Sequence, residues 1–168
     1  MVDEIDDDGD DSLGVEEPAQ VLVIDDHQIS RNSVIRMLQA AGLTAIGAPS
    51  AIGATRLALR RGIQVAVIDL NMPAMRGSSL IHVIRKSPRL AHVGIVLLSG
   101  ASDEELVTAA GEASADAAVS KLNMKDTLVP AVQKLIARAA RIPQQSGRFP
   151  VAENRLPTPG RTKRGGFA

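Results

Sequence analysis

Four short aliphatic runs punctuate the chain: Val21-Leu22-Val23-Ile24, Val65-Ala66-Val67-Ile68, Ile95-Val96-Leu97-Leu98 and Ala117-Ala118-Val119. They are apolar at nearly every position, not at every second one. That pattern predicts strands covered on both faces, as in a parallel sheet. Leu43–Ala48 reads as a further strand, less continuous than the others. Between these runs the apolar residues fall at helical spacing. Helices are expected over about Ile29–Ala41, Ala51–Arg61, Ser79–Lys86, Asp103–Ala110 and Leu128–Ala140. Gly42, Gly62 and Pro88 stand just past three of them, where helices stop. Ser50 is the expected cap of the second helix. Ser102 and Glu105 have capping-box spacing at the fourth. Thr127 is the expected cap of the fifth, which would put Pro130 at the third helical position, where no intrahelical N–H partner is needed. Five strands alternating with five helices define an α/β fold with a parallel sheet.

Chemistry gathers where the strands stop. Asp25 and Asp26 follow the first expected strand, Asp69 the third, Ser99 the fourth, and Lys121 follows Ser120 at the end of the fifth. Open parallel sheets build their ligand sites at the carboxyl ends of their strands. Taken singly, each residue has an ordinary reading: paired acids cap turns, a lysine is solvated, a serine closes a turn. Their joint occurrence is what argues for a site. His27, His82 and His92 read as surface or supporting residues. The glycines match neither a dinucleotide fingerprint nor a P-loop.

Composition narrows the classes. The 168 residues suit one domain with extensions, and the apolar share of 45% supports a core. The only aromatics are Phe149 and Phe167, so that core is aliphatic. With no cysteine, disulfides and thiolate metal ligands are excluded. No apolar run reaches membrane-spanning length and the N-terminus does not read as a signal peptide, so a cytoplasmic protein is expected. The formal net charge of zero hides two opposed ends. Residues 1–18 carry nine acids and no Lys or Arg, whereas 141–168 carry six cations against Glu153 alone. Such charge blocks, with Pro143, Pro150, Pro157 and Pro159 in the basic one, bury little surface. The expected organisation is an acidic disordered extension at 1–18, a globular unit at 19–141 and a basic, Pro/Gly-rich disordered tail at 142–168.

The motifs Val-Leu-Val-Ile-Asp25-Asp26, Ile-Asp69-Leu-Asn-Met-Pro73 with Gly77, Leu-Leu-Ser99-Gly100 and Ala-Asp-Ala-Ala-Val-Ser-Lys121 together resemble a response-regulator receiver domain of two-component signalling. The resemblance covers 19–141. It implies a flavodoxin-like (βα)5 sheet of order 2-1-3-4-5, an order for which such a domain is the standard example. That order makes strands one and three neighbours, so Asp25, Asp26 and Asp69 converge. Two carboxylates about 4 Å apart repel by roughly 4 kcal/mol at an effective dielectric near 20. A hard cation such as Mg²⁺ removes that penalty and prefers oxygen ligands. The resemblance further implies Asp69 as phosphoacceptor, Asp26 and Asp69 as direct Mg²⁺ ligands, Asp25 acting mainly through water, and Asn71 contributing its backbone carbonyl. Lys121 and Ser99 would each meet a phosphoryl oxygen, with backbone N–H groups near Leu70 and Gly100 completing the cage. The donor would be a histidine kinase or histidine phosphotransfer protein. The chain would act as a phosphoacceptor that assists its own phosphoryl transfer and dephosphorylation, not as an enzyme on other substrates.

Two positions depart from the family's usual pattern. Ala118 stands where a tyrosine or phenylalanine is common, and Leu122 stands where a proline usually follows the lysine. The first removes a ring whose movement reports phosphorylation; the second removes a proline whose cis bond helps to aim Lys121. No DNA-binding domain follows the receiver, so output by contact with a further, unnamed protein is expected. Three other readings compete. A receiver-fold scaffold without phosphorylation is one. A haloacid-dehalogenase-like phosphatase is another, disfavoured because Asn71 occupies the position of the required general acid. Contact of the basic tail with nucleic acid is the third, although six cations over 28 positions are sparse for that role.

Overall fold

The computed structural model describes residues 19–141. The elements alternate strictly: β1 (Val21–Ile24), α1 (Gln28–Ala40), β2 (Ala45–Ala48), α2 (Ala54–Arg61), β3 (Val65–Asp69), α3 (Gly77–Lys86), β4 (Gly94–Ser99), α4 (Asp103–Ala113), β5 (Ala117–Ser120) and α5 (Met124–Arg141). The five strands form one parallel sheet in the order β2-β1-β3-β4-β5. Fold class and strand order are those expected. The acidic and basic extensions lie outside the described residues.

Alternation along each strand sorts the core into two layers, because successive side chains point to opposite faces. Val21, Val23, Val65, Val67 and Val96 pack with Val34 and Leu38 of α1 and with Leu128, Val132 and Leu135 of α5. Leu22, Ile24, Ile68, Ile95 and Leu97 pack with Ala54 and Ala58 of α2, Leu80, Ile81 and Ile84 of α3, and Leu106 and Ala110 of α4. Valines, with Leu98, thus face one pair of helices, and leucines and isoleucines, with Ala66, face the other three. Leu128 has no exposed surface. Leu128→Ala is expected to lower unfolding stability by about 2–5 kcal/mol through the cavity it leaves. A urea titration reads this directly, and a loss below about 1 kcal/mol would contradict such tight packing.

Helices α2 and α5 start elsewhere than expected. Residues 51–53 form a turn, and α2 begins at Ala54 behind Gly53, whose φ of 82° is a left-handed conformation that glycine adopts freely. Ser50 does not cap; its hydroxyl donates to the Ile52 carbonyl at 3.3 Å. At α5, the Asn123 carbonyl accepts from the amides of Asp126 and Thr127, so the helix begins at Met124. Thr127 is therefore inside the helix and its hydroxyl donates back to the Asn123 carbonyl at 2.8 Å, a mid-helix habit of threonine. Pro130 also falls inside α5. Its missing N–H leaves the Asp126 carbonyl without an intrahelical donor, at a place exposed to water. By contrast, Ser102 caps α4 as expected, accepting from the Glu105 amide at 3.4 Å. No helix among the described residues is long and apolar enough to cross a membrane.

The amino ends of β4 and β5 are tied together by Arg85 at the end of α3. Its guanidinium donates to the carbonyls of Ser114, Ala91 and Val93 and pairs with Asp116 at 2.5 Å. Asp116 in turn accepts from the Ile95 amide at 2.9 Å.

Candidate functional site

The register places Ile24 beside Ile68, so the residues that follow, Asp25 and Asp69, emerge side by side from the carboxyl edge of the sheet. Both are buried, while Asp26 is exposed. Carboxylate oxygens of Asp25, Asp26 and Asp69 all lie within 4.8 Å of one another. Lys121 arrives from the far side of the site, after β5. Its ammonium stands 2.9 Å from Asp69 Oδ1 and 3.3 Å from Asp25 Oδ2. The described residues contain no cis peptide bond, and Lys121 reaches the acids with Leu122 behind it.

Asp25 is held by more partners than the sequence suggested. The Ser30 hydroxyl donates to its Oδ2 at 2.6 Å, and the His27 amide donates to its Oδ1 at 2.8 Å. Arg31 donates to its backbone carbonyl at 2.7 Å. Ser30 also accepts from Lys121 at 3.4 Å, so it bridges the acid and the ammonium. His27 caps α1, accepting from the Ser30 amide through Nδ1 at 3.4 Å. Ser30 and Arg31 escaped the sequence reading because nothing in the spacing of a helix's first turn marks which polar residue folds back onto the preceding strand. His82 and His92 lie away from this group, in α3 and in the turn before β4.

The charges of the site are unevenly tuned. Burial pushes the Asp25 carboxyl up, but the Ser30 hydroxyl, the His27 amide and the Lys121 ammonium together hold it below the ordinary aspartate range. For Asp69, burial is the largest influence and raises it. The hydrogen bond and charge of Lys121 oppose that rise, whereas the neighbouring charges of Asp25 and Asp26 add to it, and the net shift is upward. Burial alone would lower Lys121; the hydrogen bond and charge of Asp69, then those of Asp25, outweigh it and hold the ammonium above its usual range.

Ser99 is fully buried at the end of β4, with its Oγ accepting from the Ala101 amide at 3.0 Å. The Lys121 amide donates to the Ser99 carbonyl at 2.7 Å, which ties the two strand ends together. Asn71 is exposed two residues after Asp69. The Leu70 amide does not face the site: it donates to the Leu98 carbonyl at 2.8 Å and belongs to the sheet ladder. In sequence Gly77 and Pro73 read as breakers of a loop over Leu70–Gly77. In the fold Gly77 is the first residue of α3, and a Cβ there would run into the backbone carbonyl of Asp69.

The donor set suits a hard divalent cation. It consists of oxygens alone, and three carboxylates against one ammonium leave excess negative charge. Two oxygens on one Mg²⁺, each at about 2.1 Å, lie at most about 4.2 Å apart. Adjacent ligands on such an ion lie about 3 Å apart, so the acids, within 4.8 Å of one another, would draw together on sharing it.

Comparison with known proteins agrees with this geometry. Residues 21–133 match the response regulator receiver domain, and the chain belongs to that family. It is 31% identical over 118 residues to the nitrate/nitrite response regulator protein NarP of Escherichia coli (strain K12), covering 69% of this chain and 54% of NarP. The chain thus spans about half of that relative's length. It is 25% identical over 121 residues to the chemotaxis protein CheY of Pseudomonas aeruginosa, covering 71% of this chain and 97% of CheY. Among solved structures, a response regulator receiver protein from Pseudomonas putida superposes with a TM-score of 0.60 at 32% identity, covering 70% of this chain and 97% of that one. The chain is a receiver domain of a two-component system.

Proposed function

We propose that this receiver is a phosphoacceptor switch, with Asp69 taking a phosphoryl group from a phosphohistidine of a histidine kinase or histidine phosphotransfer protein. One observation carries the reading: a buried carboxylate at a strand end lies 2.9 Å from an ammonium and within 4.8 Å of two further acids. A carboxylate oxygen of Asp69 attacks phosphorus. The P–O bond forms as the P–N bond of phosphohistidine breaks, and the electron pair of that bond stays on the ring nitrogen. Lys121 turns from the carboxylates to an oxygen of the incoming group. Ser99, by rotating its hydroxyl away from the Ala101 amide, donates to another. Ser30 keeps Asp25 in place while Lys121 moves.

Asp26 and Asp69 directly, Asp25 through water and the Asn71 carbonyl would hold Mg²⁺, which supplies positive charge against the crowded oxygens of the acids and the phosphoryl group. The phosphorylated chain differs from the parent by added charge at the sheet edge, and this shifts its conformational population toward a form that a partner protein reads. Output is therefore by protein contact.

The test is labelling with a small phosphodonor such as acetyl phosphate. With Mg²⁺ the chain is expected to acquire a label that hydroxylamine removes, as it does for acyl phosphates. Excess chelator is expected to cut the initial rate at least about tenfold, since the metal screens charge in the transition state. A label indifferent to both treatments would overturn the proposal.

A further inference from the structure

An open groove of ≈ 240 Å³ lies between the start of α4, strand β5 and the start of α5. Leu106, Val107, Ala118 and Val119 supply its apolar lining, and Asp103 stands at its mouth. Val107 is 67% exposed beside it, which leaves apolar surface in water. An enclosed cavity of about 150 Å³ accepts benzene, so the groove has room for a phenyl ring. No aromatic residue occurs among the described residues, and the chain's two rings, Phe149 and Phe167, both follow α5 in sequence.

Charge selects between them. The first turn of α4 carries Asp103, Glu104 and Glu105, with no basic residue in its last turn. Arg161, Lys163 and Arg164 come just before Gly165, Gly166 and Phe167, whereas Phe149 has one adjacent cation, Arg148. Reach agrees. Along α5, Thr127 at the groove and Arg141 at the helix end are about 21 Å apart at 1.5 Å per residue. Phe167 lies 26 residues beyond Arg141 in sequence, and a flexible chain of that length spans about 28 Å. Phe149, only 8 residues on, would need about three quarters of its fully extended reach.

We propose that residues 161–168 of this chain dock on their own receiver domain, with Phe167 in the Ala118 groove and the three cations against the acidic first turn of α4. This contact is independent of the phosphoacceptor reading, because it needs neither Mg²⁺ nor a phosphoryl group.

Amide NMR spectra of the full chain test it. Phe167→Ala is expected to move the signals of Val107, Ala118, Val119 and Thr127. So is the combined change of Arg161, Lys163 and Arg164 to glutamine. Phe149→Ala is expected to leave these signals in place. The parent's groove signals should stay fixed over about a tenfold dilution, as an intramolecular contact requires. The chain has no native cysteine, so Asn123→Cys with Ala168→Cys gives a second measure. The pair should close to a monomeric disulfide, and adding Phe167→Ala should slow closure about tenfold by removing the buried ring. Groove signals that superimpose in parent and Phe167→Ala would refute the proposal. Groove signals that respond to Phe149→Ala instead, or that shift on dilution because a second copy supplies the tail, would also refute it.

Discussion

Asp69→Asn is expected to abolish phosphoryl labelling, lowering incorporation from acetyl phosphate and Mg²⁺ at least about a hundredfold. The amide keeps the size of the carboxylate but has no anionic oxygen to attack phosphorus. It also removes one direct ligand from the proposed cation site. Folding should survive. The variant loses the 2.9 Å pair with Lys121, but that ammonium keeps Asp25 at 3.3 Å and Ser30 at 3.4 Å. Loss of one member of a three-acid cluster also relieves the repulsion that pushes Asp69 up. Circular dichroism of the variant should match the parent, which separates lost chemistry from lost structure. Equal labelling of both proteins would remove Asp69 from its proposed role.

Gly77→Ala is expected to damage stability and site together. Its new methyl group would press on the Asp69 carbonyl and on the Cα of Leu70. Both are backbone atoms at the end of a buried strand, so neither can swing aside as a side-chain tip can. Alanine favours helix over glycine by roughly 0.5–1 kcal/mol, but overpacking of this kind costs about 1–3 kcal/mol or more. The net expectation is a loss of about 1–2 kcal/mol in urea unfolding. Displacement of the Asp69 backbone should also slow labelling about tenfold, since small misplacements of reacting groups are costly. Unchanged stability with unchanged labelling would show that α3 can retreat from β3.

These residues also show what a linear reading reaches. The strands were legible because four of them are unbroken aliphatic runs, and the acids and lysine because each ends or follows such a run. Strand order was not written in the runs themselves; it came with the family resemblance. Helix starts were less legible. Ser50 and Thr127 both have capping chemistry, but Gly53 in a left-handed turn delays α2, and the Asn123 carbonyl starts α5 a turn early. Gly77 reads as a breaker in sequence, because only three-dimensional proximity reveals the carbonyl of Asp69 behind it. Ser30 is similar: a hydroxyl in the first turn of α1 gains its meaning from folding back onto Asp25. The position of Ser99 was legible, but its hydroxyl's present partner, the Ala101 amide, was not.

The Arg85 tie gives the sheet an anchored base and a free rim. Around Asp116, one guanidinium fastens three carbonyls and a carboxylate at the foot of β4 and β5, whereas the opposite rim carries Asp69 and Ser99 as the last residues of their strands and Asp25 and Lys121 just beyond theirs. Strain introduced at the rim is expected to be taken up by the loops and helix starts there before it reaches the clasped foot of β4 and β5. Deuterium uptake should follow that gradient, slowest at the Ile95 amide, which is clasped by Asp116, and faster at Ala101 above Ser99. An exchange map that runs the other way, with the foot of β4 opening first, would show that the Arg85 clasp does not govern which end of the sheet yields.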